Sequence, residues 1–418
     1  MMGVEGPFLT ALIARMADAK YNLAAYGIAF SLAMIMESPV IMMMSASNAL
    51  VKGKTSFFKL RNFAYMVNLF ATLIMIVLII PSVFDVVAYG LLNLPSEVAN
   101  LTYKAIVVLL PWPAAIGYRR FYQGIMVSHG STNKVAYGTV VRVLSMGITA
   151  ATIYFCFHLD GVVIGAAALS VGVIAEAAAS RVMSRKLLVD VKNKKEEDEN
   201  ISFKSIFQFY YPLASTSVIN LGMNPMVTFF LGQSRNALES LAVLPVLNAL
   251  VFLFRSVGLS YQEAVIALIN KTRNYEALRN FERYLAFTVV AGLAVISFTP
   301  LSNIWFLNVA GLSAELNSFA KVPLMLYTIF PALTVMISFQ RGLLVCQKNT
   351  KPITFASVLE VTGIGITLFI GIHIFDMIGV TVAVIAYIVG RLMSNFYLAS
   401  SFFKARNGLL ATGNESAD

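Results

Sequence analysis

The sequence predicts an all-α integral membrane protein: twelve transmembrane helices in two parallel six-helix repeats. Three observations carry this. Hydrophobic residues make up 58% of the 418-residue chain and charged residues only 12%, with mean hydropathy +0.76. Twelve apolar stretches follow one another, and the second half repeats the first at a fixed offset of 218 residues. Soluble domains carry about 25% charged residues, so half that density excludes a cytosolic enzyme and a disordered chain alike.

A helix crossing about 30 Å of hydrocarbon needs about 20 apolar residues. Irregular chain cannot cross, because lipid leaves its backbone polar groups unpaired. The expected spans are 4–16, 22–50, 62–84, 104–128, 134–157, 160–184, 205–231, 238–269, 284–307, 320–346, 353–373 and 377–403. They divide into a bundle over 1–184, a linker over 185–204, a second bundle over 205–403 and a tail over 404–418, expected to be disordered. Cys156 and Cys346 give no disulfide framework. His129, His158 and His373 lack metal-ligand spacing, and no cleavable signal peptide is visible at the start.

The net charge of +10 raises a nucleic-acid reading until the charge is located. Loops after the even spans hold Lys52, Lys54, Lys59 and Arg61, then Lys134, then Arg185, Lys186, Lys192, Lys194 and Lys195. Lys271, Arg273, Arg279, Lys348, Lys351, Lys404 and Arg406 continue the pattern, whereas the odd loops hold little beyond Lys20, Lys104, Arg235 and Lys321. Positive loops stay in the cytoplasm. Both termini are therefore expected there, in a plasma or bacterial inner membrane, and no nucleic-acid partner is expected.

At the 218-residue offset Pro7 meets Pro225 and Leu60-Arg61-Asn62-Phe63 meets Leu278-Arg279-Asn280-Phe281. Gly147-Ile148-Thr149 meets Gly365-Ile366-Thr367, and 121–172 shares 15 of 52 positions with 339–390. Six spans per unit is an even number, so both copies enter the membrane from the same side. Parallel repeats of this kind place a substrate site near the midplane, with rocking of the halves giving alternating access. The offset also leaves the cytoplasmic half of the first span without a counterpart, so the chain reads as truncated at its start; a short first helix is the alternative.

Ionisable groups inside spans are costly, and each is a site hypothesis. Glu37 lies midway along the second span and its repeat counterpart is Arg255. A pair across the axis would neutralise both charges; pairing of each within its own half is the alternative. Arg142 and Glu360 repeat this opposition, with packing or a vestibule as their roles. Arg119 and Arg120 suit an anionic solute, against snorkelling to the headgroups. Glu176, Glu263 and Arg391 are weaker candidates. Asn220 and Asn224 share one helix face beside Gly222 and Pro225, an arrangement that lines a polar cavity or glues helices. The Met34–Met44 stretch reads as packing.

Tyr21-Asn22-Leu23-Ala24-Ala25-Tyr26-Gly27, Glu37-Ser38-Pro39, Arg119-Arg120-Phe121-Tyr122-Gln123-Gly124 and Tyr210-Tyr211-Pro212-Leu213-Ala214 add a resemblance. With the two parallel bundles, they make the chain similar to the multidrug/oligosaccharidyl-lipid/polysaccharide exporter superfamily, which includes MATE transporters, and most like its ankylosis-protein-like branch. That resemblance implies a V-shaped bundle whose cavity is walled by the first, second, seventh and eighth spans, where Glu37, Arg255, Asn220 and Asn224 fall. It implies a secondary active exporter of small organic solutes, anionic ones among them, acting as a monomer in the bilayer and without a cofactor. A lipid-linked saccharide flippase is the alternative. An integral-membrane transferase is the remote one, since it would need paired carboxylates or a His/Asp constellation. MATE pumps often carry coupling acids in the first, seventh or tenth span, and neither 205–231 nor 320–346 holds one. Neither proton nor sodium coupling is expected by the seventh- or tenth-span route, coupling to either ion stays open, and any proton coupling would fall on Glu37.

If Glu37 and Arg255 pair, Glu37→Arg combined with Arg255→Glu retains more transport in a liposome flux assay than either single reversal. A double variant no better than the singles rules the pairing out.

Overall fold

The computed structural model describes residues 5–157, 159–193, 202–269, 272–347, 349 and 351–414. They form helices joined by short turns and connections, with no strand among them. In the first half the helices are α1 (Glu5–Ala14), α2 (Ala19–Leu50), α3 (Lys54–Ile79), α4 (Ser96–Ser128), α5 (Thr132–Cys156) and α6 (Gly161–Met183). A short α7 (Arg185–Asn193) follows. The second half holds α8 (Phe203–Gly232), α9 (Ala237–Leu268), α10 (Thr272–Phe298), α11 (Ala314–Cys346), α12 (Lys351–Ile374) and α13 (Gly379–Asn414).

Every expected span has a helix, but the helices differ in kind. Among the described residues ten are long and apolar enough to cross a membrane, namely α2–α6 and α9–α13. This is an integral, multi-pass membrane protein. The 10-residue α1 rises only about 15 Å, half a crossing. The 30-residue α8 is long enough, but Pro212, Asn220, Asn224 and Pro225 dilute its apolar character. The expected linker is helical over Arg185–Asn193, where Leu188 and Val191 pack on Phe57 and Tyr210; its run from 194 to 201 lies outside the described residues. The expected tail begins as a continuation of α13, which no proline stops, and runs in helix to Asn414; 415–418 lie outside the described residues.

The duplication extends to local irregularities. A π-helical turn at Val86–Leu91 recurs at Ile304–Val309, the same 218 residues on. Its closing bonds recur too: the Leu94 amide donates to Ala88 O (2.9 Å) and the Leu312 amide to Phe306 O (2.7 Å). Left-handed residues stand at Asn93 and Gly311, and again at Asp18 and Asn236. At the start of α6 the Val162 amide donates to Asn22 Oδ1 (2.9 Å), and at the start of α13 the Val380 amide donates to Ser240 Oγ (3.1 Å). One latch is thus built twice with different side chains, each satisfying a donor that a helix start would otherwise leave unpaired.

The packing divides the chain into two compact units. One comprises Glu5 with Met16–Phe229, the other Gly6–Arg15 with Phe230–Asp418. Most of α8 therefore packs with the first half and most of α1 with the second, although the repeat boundary is the linker. Tyr210 of α8 donates its hydroxyl to Pro39 O, and Thr228 Oγ1 donates to Ser31 Oγ (3.1 Å). Pro39 displaces the bond that Ile35 O would receive, and the Ser38 hydroxyl donates to Ile35 O instead (2.6 Å). The helix ends two residues beyond Pro39, and Met42 separates the two segments of α2.

In lipid, helices associate through close packing of small residues. Gly124 of α4 lies against α2 so closely that a Cβ would overlap the Met44 carbonyl and the Ser47 hydroxyl. Its repeat counterpart Gly342 of α11 faces α9, where a Cβ would stand 2.7 Å from Val265 Cγ1. Gly124→Ala should cost about 1–3 kcal/mol as overpacking. Gly147→Ala, with nothing within 4 Å, should cost nothing. Thermal unfolding of the purified variants in detergent reads both.

Candidate functional site

Each half buries a cluster of charges in the seam between its fourth, fifth and sixth helices. In the first half Glu176 of α6 is fully buried (0%) and sits between α4 and α5. Its carboxylate pairs with Arg119 and accepts from Gln123 Nε2 (3.0 Å). Arg142 of α5 approaches it at 3.8 Å and makes its close pair with Glu5 at 2.6 Å. Small residues admit this packing: a Cβ on Gly172 would lie 3.2 Å from Arg142 O. Arg119, 2% exposed, is therefore a buried ion-pair partner and does not snorkel.

Glu37 stands apart from that network. It is 5% exposed, and its Oε2 has no hydrogen-bond partner. Arg120, Arg119 and Arg142 are the cations whose charge reaches it. Arg120 itself meets the Met44 sulfur at 3.4 Å, a weak acceptor. A buried carboxylate oxygen and a guanidinium, both incompletely paired, have capacity left for a proton or a solute.

The second half uses the same seam with the signs rearranged. The acid is Glu360 of α12, at the position of Arg142. Arg391 of α13 donates to Glu360 Oε1 through both Nε (2.9 Å) and a terminal nitrogen (2.8 Å). Arg341 of α11 stands 3.9 Å from Oε2 and donates to Ser357 Oγ (3.3 Å). Among the described residues Arg255 of α9 makes no ion pair, and Glu360 is the acid whose charge reaches it. Its guanidinium lies 4.7 Å from the centre of the Phe330 ring, which Arg391 shares at 5.2 Å. Tyr327 and Tyr387 stack beside this ring, and the Tyr327 hydroxyl donates to Asn248 Oδ1 (3.0 Å).

The two balances differ. Among the described residues Arg119, Arg120 and Arg142 face Glu5, Glu37 and Glu176, whereas Arg255, Arg341 and Arg391 share Glu360 alone. Aromatic faces attract cations, but they supply no formal charge. The Nε atoms of Arg255 and Arg341 are buried without a hydrogen-bond partner. The first cluster's Arg119, Arg120 and Arg142 have unpartnered Nε atoms as well, so what distinguishes the second cluster is its cationic excess, which a carboxylate or phosphate group would complement.

Of the residues expected from sequence, Arg119, Arg142 and Glu176 come together in one unit, as do Arg255, Arg391 and Glu360 in the other. Glu37 and Arg120 adjoin the first cluster. Asn220 is exposed and Asn224 half-buried on α8, where the Asn224 carbonyl accepts from Thr228 Oγ1 (3.0 Å). Glu263 is exposed and joins neither. Sequence reasoning missed Glu5 and Arg341. Arg341 carried a signal, since it is an arginine inside a span and the repeat partner of Gln123, one turn beyond Arg119.

Replacing Glu176 with Ala strands Arg119 in a low-dielectric seam and should destabilise the protein by about 3–5 kcal/mol. Glu176→Leu with Arg119→Met should recover part of that loss, as read by thermal unfolding in detergent. A double variant no more stable than Glu176→Ala would mean that this pair is not what holds the seam.

No protein-family profile matches the chain, and no curated protein does. Solved structures match over nearly its full length. An inward-facing MATE family multidrug-resistance transporter of the MOP superfamily matches with TM-score 0.71 and 13% identity, over 97% of this chain and 94% of that one. The lipid II flippase MurJ, in an inward closed conformation, matches with TM-score 0.71 and 17% identity, over 98% and 89%. A MOP superfamily transporter from Pyrococcus furiosus, for which reverse polarity of the binding pocket is said to suggest a different function, matches with TM-score 0.56 and 14% identity, over 98% and 95%. The chain has the fold of these MATE family transporters and of MurJ.

Proposed function

We propose that the protein is a secondary active exporter of small organic anions, working by alternating access as its two pseudo-symmetric halves rock. The observation that carries the anionic part is the second cluster, in which Arg255, Arg341 and Arg391 share Glu360 alone among the described acids of that unit. Isolated charge inside a membrane protein is costly, and a substrate that brings negative charge relieves it. The fold supports transport, since its solved neighbours are transporters and a flippase. The Pyrococcus protein links pocket polarity to function within this fold, and the cationic excess here is read in the same way.

On this reading Glu37 and Arg120 serve the first half as the proton- or solute-responsive pair, and Asn220 and Asn224 add polar cavity lining. Pairing of Glu37 with Arg255 during the cycle belongs to the same proposal. So do cytoplasmic termini in a plasma or bacterial inner membrane, a monomeric unit, the absence of catalysis, and placement beside the ankylosis-protein-like branch. The similarity to MurJ favours one second reading, a flippase for a lipid-linked saccharide precursor, whose diphosphate would meet the same guanidiniums.

Purified protein in liposomes should move organic anions faster than lipophilic cations under an imposed proton or sodium gradient. Arg255→Met and Arg341→Met should each weaken apparent anion affinity by about tenfold or more, the worth of a charge-assisted hydrogen bond. Gradient-independent behaviour toward both solute classes, with movement of a fluorescent lipid-linked diphosphate across the bilayer, would instead establish the flippase.

A further inference from the structure

We propose that a groove on the first half, between α4 and α6, holds one anionic phospholipid of the cytoplasmic leaflet, its acyl chain along the apolar lining and its phosphate on Arg181. The groove is open along the helix surface, with a volume of about 440 Å³. Ala115 and Tyr118 of α4 line it with Ala177, Ala178 and Val182 of α6, and Arg181 is its cationic residue. Three alanines leave the recess open where larger side chains would close it.

The groove adjoins a lipid-facing surface. Tyr118 stacks on Tyr65 of α3, and the same helix exposes Met66, Leu69, Phe70 and Leu73. In a membrane-spanning helix such a row meets acyl chains.

Arg181 supplies the charge complementarity. It lies in the last turn of α6, with its guanidinium 5.1 Å from the centre of the Tyr122 ring. Its carbonyl accepts from Ser184 Oγ (3.0 Å), but its guanidinium makes no ion pair or hydrogen bond among the described residues, so its donors are open to an anion. More basic residues gather at this end. Lys134 Nζ donates to Met183 O (3.3 Å), and Arg185 and Lys186 begin α7. The charge distribution of the loops assigns this end to the cytoplasm. A basic recess between helices on that side takes anionic headgroups.

The second half is an internal control. At the repeat offset Leu333 stands for Ala115, Asn395 for Ala177, Phe396 for Ala178 and Ala399 for Arg181. Leu333 is buried, and Asn395 Nδ2 donates to its carbonyl (3.2 Å). The same fold there carries bulk where the first half has alanines, and no cation at the end. The proposal does not rest on the transport reading.

Native mass spectrometry of the purified full chain, with phosphatidylglycerol and phosphatidylcholine in competition, tests it. The wild type should retain one phosphatidylglycerol, with a preference of about five-fold, the worth of one arginine at a charged bilayer surface. Arg181→Met should bring the preference to parity, and Arg181→Lys should restore most of it. Ala178→Phe, which imports the second-half residue at an exposed position, should abolish retention of both lipids. Thermal unfolding of each variant checks the fold. An Arg181→Met variant that keeps its preference, or an Ala178→Phe variant that still retains lipid, overturns the proposal.

Discussion

Glu176 is a carboxyl group with no access to water, and the first half is arranged around that fact. A carboxylate so placed must be paired with cations and hydrogen-bond donors, because burial removes several kcal/mol of hydration. Its partners come from two other helices, Arg119 and Gln123 from α4 and Arg142 from α5. To bring them within reach the helices must approach closely. Hence α6 is rich in Gly, Ala and Ser, and Gly172 meets α5 backbone to side chain. The need to pair one buried acid thus accounts for the composition of a whole helix and for the closeness of its neighbours.

The second half obeys the same constraint with a different assignment of signs. Its acid sits on the fifth helix of the repeat instead of the sixth, and its bases on the fourth and sixth. After duplication the seam tolerated exchange of charge between helices, provided that opposite charges still met. It did not require neutrality, and Arg255 turns to the face of Phe330 in place of a carboxylate. The two bundles are similar as scaffolds and unlike as electrostatic environments.

The fold was largely legible in the sequence, because hydrophobic length and an unbroken 218-residue offset are properties of the chain itself. The offset extended to features no pattern announces, such as the paired π turns and the left-handed Asn93 and Gly311. The site was legible only in part. Glu37, Arg119, Arg120, Arg142, Glu176, Glu360 and Arg391 stood out as charges in apolar runs, but which of them meet did not. Helical periodicity places Arg142 on a face of α5 and says nothing of which helix lies opposite. Its strong partner, Glu5, belongs to a segment that sequence reasoning treated as half a span. Arg341 was overlooked because its repeat partner is the uncharged Gln123, so a search for paired charges passed over it.

The exchange of α1 and α8 between the packing units bears on how the protein is made. Residues through Phe229 complete the first unit, so that unit cannot close while the ribosome is still translating α7. The second unit contains Gly6–Arg15, which are made before the linker. A chain severed in the linker would therefore yield two fragments, each holding a helix that belongs to the other's core. Neither would be a self-sufficient half, and the duplication, though plain in the sequence, no longer describes two parts that can exist alone.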